Sequence, residues 1–168
     1  YPYLVKEKLR DSDDLSDIKN ILDAEDFAVI QNSNNKPVAC MTLTWKYFYK
    51  CKEIGILSES LMRIFDGKLT DLVNNLGNCE RIKSTPVPIA YVLHLKRFLY
   101  LFCLTVPLAF VDSFGWWSIL VSALVSYSFI GIEEIGVEIE DPVGTDANDL
   151  PLDEISKSIH ETLKELQI

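Results

Sequence analysis

The sequence predicts an all-α protein whose middle is a hairpin of two apolar helices, flanked on both sides by amphipathic helical segments. Three observations carry that prediction. Of the 168 residues, 48% are hydrophobic and 24% are charged, and the two kinds are segregated into blocks. Phe98 to Val111 and Trp116 to Ile132 contain no charged residue. Outside those runs apolar residues recur every three or four positions, the period of a helix with one buried face.

In chain order, Leu15, Ile18 and Leu22 predict a short amphipathic helix over Ser12–Asp26, with Ser12 or Asp13 able to cap its first amides. The asparagine-rich stretch from Gln31 to Lys36 breaks the pattern, and an apolar, aromatic helix resumes after Pro37 over Val38–Phe48. Leu57, Leu61, Ile64, Phe65, Leu69, Leu72, Val73 and Leu76 predict a helix with a full-length stripe to bury, and Gly77 supplies a C-terminal stop. Thr85, Pro86 and Pro88 interrupt the chain, with Pro88 suited to the first turn of the next helix.

The first apolar run then leads through a tight turn at Asp112–Gly115 into the second. Each run is a little shorter than the roughly 20 residues that span a bilayer. A membrane hairpin and a buried soluble hairpin are both compatible with the pattern, the second making the chain a soluble all-helical interaction protein. Trp116 and Trp117 at the turn, and Lys96 and Arg97 at the far end of the first helix, favour the membrane. That placement puts both hairpin ends in the cytoplasm. Pro107 removes a backbone bond inside the first helix, and Ser118, Ser122 and Ser126 form a stripe of small polar side chains on the second. Beyond Ile132 the second helix continues as a charged amphipathic segment until Asp141-Pro142 stops it. A last helix follows, with Asp153 and Glu154 near its start and Ile155, Ile159, Leu163 and Leu166 on its apolar face.

Three regions result: a cytoplasmic helical region over 1–88, a transmembrane hairpin over 89–132, and an acidic cytoplasmic helical tail over 133–168. The formal charge of -9 is concentrated in that tail, where eleven Asp or Glu face only Lys157 and Lys164. A nucleic-acid partner needs a basic stripe, so none is expected. Cys40, Cys51, Cys79 and Cys103 show neither CxxC nor zinc spacing and read as reduced thiols. Phosphate-binding glycine loops, HExxH and GxSxG are missing, and His94 and His160 stand far apart, so neither enzyme machinery nor a cofactor is expected. The chain opens on Tyr1-Pro2 with neither Met nor a basic leader region, and reads as an internal start without a signal peptide.

Two strings are specific. Asn78-Cys79-Glu80-Arg81-Ile82-Lys83-Ser84-Thr85-Pro86-Val87-Pro88 precedes the hairpin, and Ile139-Glu140-Asp141-Pro142-Val143-Gly144-Thr145-Asp146-Ala147-Asn148-Asp149-Leu150-Pro151 follows it. Together they resemble the bacterial branch of the bestrophin ion-channel family, over the C-terminal part of the subunit. The resemblance implies a pentameric, all-helical funnel in the inner membrane, a homopentamer in contact with membrane lipid and permeating ions. It implies passive transport of chloride and other small anions, with a monovalent cation (sodium) channel of the same fold as the alternative. It also implies a ring of apolar side chains at the cytoplasmic exit, for which Ile56 and Leu57 are the candidates. Cys79, Glu80, Arg81, Thr85, Pro86, Pro88, Asp141, Pro142, Gly144, Asp146, Asn148 and Asp149 are carried over as structural motif residues. In animal relatives the loop holding Asp146 and Asp149 is a dense acidic calcium site. Here Thr145, Ala147 and Asn148 replace carboxylates, which leaves Asp146 and Asp149 as weak calcium candidates and no metal expected. The motif is expected to cap the last helix instead.

Overall fold

The computed structural model describes residues 1–166. Among the described residues seven helices follow one another: α1 (Pro2–Leu9), α2 (Ala24–Gln31), α3 (Lys36–Glu53), α4 (Glu59–Ser84), α5 (Ile89–Phe114), α6 (Trp117–Glu140) and α7 (Leu152–Leu166). The chain forms two compact units. One comprises Tyr1–Ser84, Val143–Thr145 and the segment from Leu150 onward; the other comprises Thr85–Pro142 and Asp146–Asp149.

The first unit is built around Leu4, Ile18 and Ile30, packed against Tyr3, Leu15, Leu22, Phe27, Ala39, Cys40 and Leu43. Helix α1 has only eight residues, too few for a period to show in the sequence, yet it delivers Leu4 and Leu9 to the interior. The helix expected over Ser12–Asp26 does not form. Leu15 to Leu22 instead makes successive turns, with Ile18 N–H donating to Leu15 and Ile21 N–H to Ile18. Ser12 Oγ accepts from the Asp14 amide and Asp14 Oδ1 from the Ser16 amide, successive side-chain turns that offer this stretch an alternative to helix. Leu15, Ile18 and Leu22 still reach the core, because three-residue turns return them to one side much as a helix would. The helix begins later, at Ala24.

Helix α3 extends beyond the expected Val38–Phe48 at both ends. Asn35 accepts from the Val38 amide at its start, with Pro37 in the first turn, and Lys50 and Lys52 lie in its last turn. Gly77 does not stop α4. It lies in open space in an uninterrupted helix that runs on to Ser84, where Thr85-Pro86 ends it. Cys79, Glu80 and Arg81 therefore sit on the last turns of α4 rather than in a loop. Stacking of Phe48 on Phe65, with ring centres 4.7 Å apart, joins α3 to α4. The expected burial of the α4 stripe is not met within the chain: Met62 and Leu76 are buried, while Leu61, Ile64 and Leu72 are exposed.

The second unit is the hairpin. Pro88 caps α5 from outside rather than occupying its first turn. Asp112 to Phe114 remain helical, so the reversal is confined to Gly115 and Trp116, with Gly115 at φ +51°, a conformation that costs a residue without a Cβ nothing. Helix α6 continues past its apolar part to Glu140 and stops at Asp141, as the charge pattern predicts.

Candidate functional site

Helices α5 and α6 pack only on each other among the described residues. Ser118 and Ser122 are buried in that seam together with Val106, and Phe102 meets Phe129 edge to face at 5.2 Å. Small side chains let the two backbones approach closely. At the charged end Lys96 Nζ lies 3.1 Å from Glu133 Oε1, an ion pair between the helices. At the turn Trp116 and Trp117 are 88% and 70% exposed.

Helices of 26 and 24 residues extend about 39 and 36 Å at 1.5 Å per residue, enough to cross a hydrocarbon layer of about 30 Å. A core helix of a soluble protein would be mostly buried. Here only 6% of each apolar window is buried. Leu101, Leu104, Leu108, Leu120 and Leu124 all point outward, an arrangement that water penalises and lipid does not.

The structure brings the two specific strings together. The Val87 amide, inside Thr85–Pro88, donates to Glu140 Oε1 at 3.0 Å, so the entry to α5 is held against the exit of α6. Just beyond, Asn148 Nδ2 donates to Glu138 Oε1 at 2.9 Å, and the Asp146 amide donates to Asp149 Oδ2 at 2.7 Å. Asp149 thus closes its own loop. Among the described residues no three His, Cys, Asp or Glu side chains are grouped as a metal site would need. Cys79, Arg81, Thr85, Pro86, Pro88, Asp141, Asp146 and Asn148 are exposed, whereas Glu80, Pro142, Gly144 and Asp149 are half-buried.

Ile56 and Leu57 lie in the turn between α3 and α4, before the helix in which the sequence pattern places Leu57. Gly55, at φ +79°, allows the chain to reverse there, and the amides of Ile56 and Leu57 both donate to the Cys51 carbonyl. The turn separates the two side chains. Ile56 is 71% exposed, with Ile54 beside it at 70%, while Leu57 is half-buried.

One constellation escaped the sequence reading. Lys6 Nζ lies 2.8 Å from Asp17, 2.9 Å from Asp153 and 3.0 Å from Glu7, and Arg10 pairs with the other oxygen of Asp153, which ties α1 to the start of α7. Burial works against the Lys6 charge, but the bonds to Asp17, Asp153 and Glu7 outweigh it and hold its pKa above the ordinary lysine value. Arg10 and Lys6 in turn hold the Asp153 carboxyl below the usual carboxylate range. No local signal marks this cluster, because Lys6 and Asp153 are 147 positions apart.

A family model described as bacterial/fungal bestrophin protein matches residues 1–165. The chain belongs to the bacterial and fungal bestrophin family. It is 39% identical over 154 residues to a voltage-dependent anion channel-forming protein of Nostoc sp., an alignment covering 90% of this chain and 49% of that protein. It is 38% identical over 140 residues to the voltage-dependent anion channel-forming protein YneE of Salmonella typhi, covering 83% of this chain and 46% of that one. A crystal structure of a bacterial bestrophin homolog from Klebsiella pneumoniae superposes with a TM-score of 0.91 at 35% identity, covering 98% of this chain and 61% of the other. The chain therefore spans about half the length of the curated relatives it matches. Membership of the bestrophin family and the two exposed apolar helices make this a membrane protein, and the soluble alternative is set aside.

Proposed function

We propose that this chain is the C-terminal part of a bestrophin-type channel subunit that assembles as a homopentamer and conducts chloride and other small anions passively across the inner membrane. It acts as a channel, not as an enzyme. The observation that carries the reading is the pair of apolar helices with uncovered outer faces, in a chain matched along nearly its whole length by the bestrophin family. The names of the relatives, voltage-dependent anion channel-forming proteins, point to anions as the cargo.

In this reading 1–88 and 133–168 are cytoplasmic and 89–132 is the transmembrane hairpin, with both its ends on the cytoplasmic side. The last boundary falls inside α6, so a single helix carries lipid-facing residues into water. Gln167 and Ile168 of the tail lie outside the described residues. Ile56 supplies the cytoplasmic constriction, five copies forming a short dry ring that an ion crosses by shedding water. Its exposure supports the assignment over Leu57. The motif residues Glu140 and Asp149 serve structure, by the hydrogen bonds that each accepts.

Reversal potentials of the full-length subunit in planar bilayers under a sodium chloride gradient test the cargo. The expected value moves toward the chloride equilibrium potential. The eleven carboxylates from Glu133 onward would enrich cations near any vestibule they face, and a reversal potential at the sodium value would replace the anion reading with the cation one.

A further inference from the structure

The turn holding Ile56 is positively charged in an acidic chain. The net charge of the protein is -9, yet between Lys46 and Arg63 four cations stand against two carboxylates, Glu53 and Glu59. Part of that positive charge is engaged. Lys52 Nζ lies 2.5 Å from Glu59, which also receives Arg63 at 3.9 Å, so one carboxylate answers two cations at the start of α4. Lys46 and Lys50 are exposed on α3 and make no ion pair among the described residues. Lys50 rests instead on an aromatic ring: its ammonium sits 5.5 Å from the centre of Tyr47, whose hydroxyl donates to Asp26. A cation over a ring keeps its full charge, whereas one in an ion pair is neutralised.

The backbone sets Lys50 beside the turn. The Ile56 amide lies 2.9 Å from the Cys51 carbonyl oxygen, and Lys50 is the residue before Cys51. Lys46 is one turn further back on the same face, about 6 Å along the helix axis. In salt of about 0.15 M a charge is screened over about 8 Å, so the nearer lysine is the stronger of the two at the turn. Glu53, exposed three residues after Lys50, offsets part of their field.

We propose that Lys50, assisted by Lys46, is a selectivity-determining residue at the cytoplasmic exit. Five copies of each concentrate anions and repel cations where the Ile56 side chains narrow the path. The inference rests on the placing of Ile56 in the constriction, and not on which ion the native channel prefers.

The test is the change in reversal potential of the full-length subunit in planar bilayers under a sodium chloride gradient. With salt near 0.1 M, Lys50→Gln is expected to lower the ratio of chloride to sodium permeability by about two- to fivefold, Lys46→Gln by less, and Lys50→Arg not at all. Glu53→Gln, which leaves both lysines in place, is expected to raise the ratio. Near 1 M salt, where screening acts within about 3 Å, these differences shrink. The native reversal potential judges the anion reading; the shift between native and variant judges the lysine, and its sign is the same whichever ion the native channel prefers. A ratio unchanged in Lys50→Gln, or one that falls equally in Lys50→Arg, overturns the proposal. Should Lys50→Gln fail to assemble, an unchanged ratio in Glu53→Gln overturns it.

Discussion

Asp153 and Ile56 show how differently single residues bear on this protein. Asp153 receives Arg10 on one oxygen and Lys6 on the other, and these bonds depress its pKa. Such a group stabilises the fold fully above its unfolded pKa, about 3.9 for an aspartate, and loses the contribution as pH falls through the lower folded value. Asp153→Asn is therefore expected to lower the thermal midpoint at pH 7, with the gap to the native protein closing below about pH 4. Melting curves across pH 3–7 check this; a gap independent of pH would mean that the carboxylate charge plays no part. At the α3–α4 turn, Ile56→Ala removes an exposed side chain and is expected to change stability by less than about 0.5 kcal/mol while raising single-channel conductance. Leu57→Ala, at a half-buried position, should reduce stability without that gain. Equal conductance in Ile56→Ala and the native channel would take Ile56 out of the pore.

Among elements, the hairpin is the one whose internal chemistry is most exposed to test. Lys96 and Glu133 pair with Glu133 only 14% exposed at its side chain, so removing the lysine strands a poorly solvated carboxylate. Lys96→Met should lower the thermal midpoint of the detergent-solubilised subunit, and the exchange of both residues, Lys96→Glu with Glu133→Lys, should recover most of the loss. Failure of the exchange to recover stability would show that position, not charge, matters at Lys96. The elements also mark where sequence periodicity misled. Three apolar residues at helical spacing, Leu15, Ile18 and Leu22, form turns, next to the side-chain turns that Ser12 and Asp14 make with nearby amides. Gly77, an expected stop, is carried through by a long helix whose terminator is the proline string after Ser84, since a glycine costs a helix about 1 kcal/mol and a proline about 3.

At the scale of the whole molecule, topology is the prediction with the widest consequence. In a subunit cleared of its other cysteines, Ser113→Cys beside the reversal should react with an impermeant maleimide from the periplasmic side only, and native Cys79, exposed on α4, from the cytoplasmic side only. Labelling of both from one side would invert or abolish the hairpin. The helical class, the two apolar runs, the stop at Asp141-Pro142 and the family likeness were all legible in the sequence, because each depends on neighbours within a few turns or on an ordered string. Tertiary structure decided that both apolar helices leave their outer faces uncovered, since a core helix and a spanning helix share a composition and differ in what surrounds them. It also decided that Val87 bonds to Glu140 and that Lys6 gathers Asp17 and Asp153. Those pairings join residues far apart in the chain, and no local pattern of charge or polarity encodes which distant partner a side chain will meet.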